Sequence, residues 1–210
     1  MTPLAVIIPV KHSQLKSRLS SVLSRTQREE FATLLLLDVL GAFRSAGLIE
    51  SCHVVSSDEK VLRLASRLGA GIVRESADAG VNAAVTAGVN EAGRHCDILV
   101  VPSDLPLLRA ADIRRILALR SSGLDVVIAP SLAFNGTNAL AFSASSHPAL
   151  SYDDNSFWNH LRASARRGLS VAVCSERTIM FDVDSPSDLR ALARSRSTGR
   201  AAVFARKVML

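Results

Sequence analysis

The chain has 210 residues, 48% of them hydrophobic and 21% charged, with a net charge of +6. That apolar share supports a sizeable core and excludes a disordered chain, and the length predicts one domain over residues 1–210. No apolar run is long enough to span a bilayer, no basic region precedes the first apolar run as in a secretory signal, and the only Trp and Tyr do not alternate with basic residues as stacking on single-stranded nucleic acid would need. A cytoplasmic protein binding neither membrane nor nucleic acid is the expectation. The cysteines, Cys52, Cys96 and Cys174, lack close metal-type spacing. Each adjoins a predicted strand, so buried free thiols in a reducing compartment are expected.

Strand-like and helix-like segments alternate along the chain. Leu4 to Val10 is an apolar, β-branched run, followed by a polar, basic loop from Lys11 to about Ser24. Thr26 to about Ala46 reads as a long helix with a Thr26/Glu29 capping box and a stop at Gly47. His53 to Ser56 is a strand, Ser57-Asp58 opens a helix through Leu68, and Gly71 to Arg74 is a short strand. Val81 to about Arg94 is helical, Ile98 to Val101 is a buried strand, and Ala111 to Ser121 is a helix with Ile113, Ile116 and Leu117 on one face. Leu124 to Ala129 and Thr137 to Phe142 are strands around an Asn135-Gly136 turn. Asn155 to Arg167 is a helix ending at Gly168. Leu169 to Cys174 and Ile179 to Val183 are predicted strands, and Ser185-Pro186 caps a last helix. This alternation predicts an α/β fold: a mostly parallel mixed sheet, one strand antiparallel, with helices on both faces. Residues 195–210 form a basic tail with apolar Val203, Phe204, Val208 and Met209. It is either loose or docked on a second subunit, and a homodimer is expected on that ground.

Five sets of residues carry candidate chemistry. In Val101-Pro102-Ser103-Asp104-Leu105-Pro106 a strand ends in an acid between two prolines. Proline removes a backbone donor and disfavours helix before it, so Asp104 lies at a strand's carboxyl end, where open α/β sheets bind ligands. It either holds a hard cation carrying phosphates or caps the next helix. Lys11, Lys16 and Arg18 lie on the same rim after the first strand. They either clamp a triphosphate or form a solvated basic loop. Neither a Walker A nor a Rossmann glycine pattern accompanies them. In Phe181-Asp182-Val183-Asp184 the acids are two apart, so on a strand both face one spot. Two close carboxylates repel by roughly 4 kcal/mol at 4 Å and an effective dielectric of 20, and a divalent cation reverses that sign. The alternative is Asp184 as a helix cap and Asp182 as a surface residue. Ala79-Gly80-Val81-Asn82 is either an ordinary helix entry or one where glycine allows close ligand approach and Asn82 reads a base edge. Thr137 and Asn138, with the later Asp153 and Ser156, either belong to two plain polar loops or offer hydroxyls and backbone donors for a small carboxylate or phosphate. His12, His53, His95, His147 and His160 show no zinc spacing, and no serine sits in a nucleophile elbow.

Together the segments PVKHSQLKSRLS, VVSSDEKVLRLASRLGA, GVNAAVTAG, VPSDLPLL, GTNAL, DNSFWNHL and FDVDSPSDL resemble nucleotidyltransferases of the MobA-like type. More narrowly they resemble the 2-phospho-L-lactate guanylyltransferase (CofC) family, over residues 9–189. The resemblance implies a three-layer α/β/α Rossmann-like nucleotidyltransferase fold. It also implies a reaction: the phosphate of 2-phospho-L-lactate attacks the α-phosphorus of GTP, giving lactyl-2-diphospho-5'-guanosine and pyrophosphate in deazaflavin coenzyme biosynthesis. On that resemblance Asp104, Asp182 and Asp184 hold Mg²⁺. Lys11, Lys16 and Arg18 face the phosphates, with Lys11, Lys16 and Asp104 as the catalytic set, and Gly80 and Asn82 lie near the guanine. Thr137, Asn138, Asp153 and Ser156 hold the phospho-acid. The family often has glycine at the position of Asp153 and leucine at that of Val81. Alternatives within the class are phosphoenolpyruvate, 3-phosphoglycerate or a molybdopterin as acceptor. Outside it stands a non-catalytic nucleotide- or RNA-binding protein, suggested by the charge, to which an acidic trio without metal would be of no use.

Overall fold

A computed structural model describes residues 2–11, 16–76 and 80–209; the middle of the basic loop (12–15) and residues 77–79 lie outside the described residues. In chain order the elements are β1 (Leu4–Pro9), α1 (Arg25–Ser45), β2 (Cys52–Ser56), α2 (Glu59–Arg67), β3 (Gly71–Arg74), α3 (Val81–Ala92), β4 (Asp97–Val100), α4 (Ala110–Ser121), β5 (Val126–Pro130), β6 (Thr137–Ser143), α5 (Ser156–Arg166), β7 (Val171–Val173), α6 (Arg177–Met180), α7 (Pro186–Arg194) and α8 (Arg200–Met209). The strands form one sheet of order β3-β2-β1-β4-β6-β5-β7. Only β6 runs antiparallel to its neighbours, as the short links late in the sequence predict.

Side chains alternate across β1. Val6 and Ile8 enter a core with Leu36, Val39 and Phe43 of α1, Ala65 of α2, and Ile113 and Ile116 of α4. Ala5 and Ile7 enter the opposite core with Ala84 and Val85 of α3 and Phe157 of α5. Burial on both faces is why the strand reads as an unbroken apolar run. Gly88 lets α3 lie close on the sheet, since a Cβ there would meet Ile7 Cγ2 at 2.6 Å.

Three expectations change. The capping box of α1 is formed by Ser24 and Gln27, which offer the same chemistry two residues before Thr26. Ile179 to Val183 is not a strand. Ile179 and Met180 belong to α6, and residues 181–184 continue without a ladder. Their neighbours' carbonyls are taken otherwise: Ile179 O accepts from Asn138 Nδ2 and Met180 O from the Leu132 N–H. Third, residues 200–209 form a helix docked on the chain itself. Ala201, Ala202, Phe204 and Ala205 are buried with Phe31 of α1 and Leu189 and Leu192 of α7, and Phe204 stacks on Phe31 at 5.4 Å between ring centroids. Asp38 caps the helix start by accepting the Arg200 and Ala201 N–H groups. Most of the apolar face that suggested a second subunit is thus used within the chain. The three cysteines are buried and unpaired.

Candidate functional site

From β1 the chain moves outward to β2 and β3, then returns to β4 on the other side of β1. The crevice beyond the carboxyl ends of β1 and β4 is therefore the topological switch point, the usual ligand position in such sheets. Pro9 and Pro102 end both strands there, after last ladder-type bonds from Val10 N–H to Val55 O and from Val101 N–H to Ile7 O. A cleft of about 460 Å³ opens at this rim, lined by Lys11, Lys16, Arg18, Asp104 and Asp184 and also by Val81 and Tyr152. Residues distant in sequence meet here because each follows the end of a different element.

Lys16 stands in a left-handed conformation (φ 48°) at the start of a single 3-10 turn, Ser17–Leu19, uncommon for a side-chain-bearing residue. Its Nζ lies 2.7 Å from Asp104 Oδ2 and 2.8 Å from Asp184 Oδ1. Burial opposes its charge, but the charges of the two carboxylates and their hydrogen bonds outweigh burial and hold the ammonium's pKa above its usual range. Burial also opposes the Asp184 charge, and Lys16 overrides it, so that carboxylate sits below the usual range. The exposed Arg18 guanidinium adds a looser contact to Asp184 at 4.0 Å.

Asp182 completes the acidic group but not on the same atom. Its Oδ1 accepts from Asn138 Nδ2 at 3.3 Å, and its pKa is pushed up to about 6 by burial, then by the negative charges of Asp104 and Asp184. Lys16 thus leaves part of the carboxylate repulsion uncompensated. The pairing of Ala129 with Ala139 but of Pro130 with Thr137 leaves Asn138 as the extra residue of a β-bulge. Bulges re-aim side chains beside active sites: Asn138 serves Asp182 while Thr137 bonds to α5. Asn138, one of the expected acceptor residues, directs its amide nitrogen to Ile179 O and Asp182 Oδ1. Among the described residues no three potential ligands close into a ready-made metal cage. The donor set nonetheless fits Mg²⁺, which takes one or two carboxylates together with substrate phosphates and water. The ammonium held between Asp104 and Asp184 marks a place that favours a cation.

The other expected residues fall in a neighbouring group that does not line the cleft wall, although Tyr152 beside them does. Ser156 Oγ donates to Thr137 Oγ1 at 3.1 Å. Gly80 has φ +96° immediately before α3. Both ends of the Asn82 amide are engaged: its Oδ1 accepts the Tyr152 N–H at 2.7 Å and its Nδ2 donates to Asp153 Oδ2 at 3.1 Å. The Asp153 side chain therefore turns to α3. Two residues passed over in the sequence stand out. His160 lies fully buried 3.0 Å from Thr137 Oγ1, and its spacing of four from Ser156 on one helix face was the available signal. Tyr152 borders the cleft while its hydroxyl is buried without a hydrogen-bond partner among the described residues.

Opposed titrations give a pH signature. Burial lowers the His160 pKa to about 4 from 6.5, so unfolding takes up a proton and stability falls as pH drops from 6.5 towards 4. Asp182 is raised to about 6 from 3.8, so the folded state holds its proton and stability falls as pH rises through 6. Each amounts to about 3 kcal/mol at 1.36 kcal/mol per pH unit, and between pH 4 and 6 they cancel. In EDTA, urea unfolding of the wild type is expected to vary little over that window. Asp182→Asn should become less stable towards pH 4 and His160→Asn more stable; parallel slopes in all three would contradict the assignments.

Known proteins fit this geometry. The family described as "Guanylyl transferase CofC like" matches residues 4–210. The phosphoenolpyruvate guanylyltransferase of Rubrobacter xylanophilus is 38% identical over 192 residues, covering 90% of this chain and 93% of that protein. The 2-phospho-L-lactate guanylyltransferase of Methanothermobacter thermautotrophicus is 36% identical over 185 residues (87% and 81%). The 3-phospho-D-glycerate guanylyltransferase of Phenylobacterium zucineum is 35% identical over 192 residues (89% and 88%). A crystal structure described as a nucleotide-diphospho-sugar transferase from Desulfovibrio desulfuricans superposes with a TM-score of 0.79 at 16% identity, covering 99% of this chain and 95% of that one, which shows the shared α/β fold. With a match from the first strand to the last residue, the chain belongs to the CofC-like guanylyltransferase family.

Proposed function

We propose that the protein transfers the guanylyl group of GTP to the phosphate of a small phosphorylated carboxylic acid, with 2-phospho-L-lactate as the preferred acceptor. An acceptor phosphate oxygen attacks the α-phosphorus, the bond to the bridging oxygen breaks, and pyrophosphate leaves with that electron pair. The acceptor is already a nucleophile, so the chain needs no Ser, Cys or His to form a covalent intermediate. The barrier is anion meeting anion. Asp104 and Asp184, with Asp182 beside them, would hold Mg²⁺, which would neutralise and align the phosphate oxygens. Lys11, Lys16 and Arg18 would face the triphosphate, and Lys16 would stabilise the charge growing on pyrophosphate. The start of α3 at Gly80 and Val81 would receive the base, and Asn82, bonded to residues 152 and 153, would fix the loop between base and acceptor. Thr137 and Ser156 would bind the acceptor carboxylate. The observation that carries this reading is the Lys16 ammonium shared by Asp104 and Asp184 at the switch point. These are groups for gathering phosphates and a cation, not for acyl or hydride chemistry.

A second acceptor, phosphoenolpyruvate, is favoured by the name of the relative at 38% identity. Pyrophosphate release should be measured with GTP, ATP or CTP against 2-phospho-L-lactate, phosphoenolpyruvate and 3-phospho-D-glycerate, each with Mg²⁺ or EDTA. Mg²⁺-dependent turnover with GTP is expected, with kcat/KM for 2-phospho-L-lactate at least about tenfold above the others, an ordinary margin for one altered contact. A higher value for phosphoenolpyruvate would reassign the acceptor. No turnover with any pair would remove the reaction class.

A further inference from the structure

The buried polar trio behind the acceptor loop is wired in one direction. His160 Nε2 lies 3.0 Å from the backbone N of Ser151, whose only possible role is donor. A ring nitrogen that accepts carries no proton. Burial keeps the ring uncharged at neutral pH, so its single proton is on Nδ1. Nδ1 lies 3.0 Å from Thr137 Oγ1 and must donate to it. Ser156 Oγ donates to the same oxygen. Both lone pairs of Thr137 Oγ1 are then used, and its own proton is left to point away from the trio. The ring cannot readily turn to reverse this order, since Tyr152 packs edge-on against it at 4.9 Å between centroids.

We propose that His160 is a positioning residue that fixes the Thr137 hydroxyl as an outward hydrogen-bond donor for the carboxylate of the acceptor. The inference rests on the reading that Thr137 and Ser156 bind that carboxylate. An unconstrained hydroxyl donates or accepts as its surroundings dictate. One whose lone pairs are both occupied can only donate, which suits an anion and repels a donor. The same ring ties Ser151 to the start of β6, so the loop carrying Tyr152 and Asp153 keeps its distance from Thr137. A neutral imidazole suits this role because it accepts on one side and donates on the other.

Two amides separate the functions of the ring. The Asn amide nitrogen stands near the Nδ1 position and can donate to Thr137, whereas Gln reaches the Nε2 position and the Ser151 N–H. Steady-state kinetics should compare Thr137→Val, His160→Asn and His160→Gln, varying 2-phospho-L-lactate, phosphoenolpyruvate and 3-phospho-D-glycerate in turn, since all three carry the carboxylate. His160→Gln is expected to raise the acceptor KM about tenfold, the usual size of one lost hydrogen bond to a charged group. The KM for GTP should stay within about twofold, and His160→Asn should recover most of the acceptor KM. Thr137→Val should raise it at least as far as His160→Gln. If Thr137→Val leaves the acceptor KM unchanged, the carboxylate reading fails. If Thr137→Val raises it and His160→Gln does not, the positioning role fails while the carboxylate reading stands. Should the Gln variant not fold, ¹⁵N spectra of histidine-labelled wild-type protein decide. The His160 proton on Nδ1, with an Nδ1 shift that moves on adding acceptor, supports the inference; a proton on Nε2 overturns it.

Discussion

Asp104→Asn should lower kcat/KM for guanylyl transfer by at least about 10³-fold while the protein remains folded. A thousandfold corresponds to about 4 kcal/mol of lost transition-state stabilisation, the scale expected when a metal-holding charge is removed from a site where anions must approach. Asparagine keeps the shape and one oxygen, so the turn between Pro102 and Pro106 is undisturbed. Removing its charge breaks one of the two Lys16 ion pairs but also relieves its repulsion of Asp182, so the melting temperature should move by no more than a few degrees. Lys16 keeps Asp184 as a partner at 2.8 Å. Near-wild-type turnover would contradict the placement of Asp104 in the reaction.

Lys16→Met should act on stability and activity in ways that Mg²⁺ separates. Without the ammonium, Asp104 and Asp184 face each other and Asp182 uncompensated. Removing one partner of a buried ion pair costs 3–5 kcal/mol. Here the carboxylates are 25% and 45% exposed, and solvent screening reduces the loss to about 1–2 kcal/mol. Mg²⁺ should recover more stability in the variant than it adds to the wild type, because the cation no longer competes with a tethered one. Catalysis should still fall by about 10²-fold or more with Mg²⁺ saturating, since the departing pyrophosphate has lost a fixed positive charge. Thermal denaturation with and without Mg²⁺, paired with initial rates, checks both. An equal Mg²⁺ response in the two proteins would show that Lys16 and the ion do not share a site.

Legibility from sequence followed the range of the interactions. The position of Asp104 beyond the carboxyl end of β4 is legible because it depends on the apolar run before it and the prolines on either side. The single antiparallel strand was visible because β5 and β6 are joined by a short Asn-Gly turn. The stretch 179–183 deceived because its apolar residues satisfy a strand pattern, while its backbone carbonyls are claimed by Asn138 and Leu132, over 40 residues away in sequence. The role of the last ten residues depended on Phe31 and Asp38, more than 160 residues earlier, so the same apolar positions read equally well as a face for another subunit. Within the site, residue types were legible and partners were not. Asn82 and Asn138 both look like free amides in the sequence, and both are engaged by loops that arrive from another part of the chain. His160 has no zinc spacing to mark it in the sequence; its meaning comes from Ser156 one turn before it and from Thr137 at the start of β6, 3.0 Å away.

Anomalous diffraction from crystals grown with Mn²⁺ and a non-hydrolysable GTP analogue tests the central claim most directly. A manganese peak is predicted roughly 2 Å from carboxylate oxygens of Asp104 and Asp184, as expected for hard oxygen ligands, with Lys16 moved from between them onto the phosphates. A nucleotide bound in the cleft with the metal on other residues, or with Lys16 still bridging Asp104 and Asp184, would contradict it.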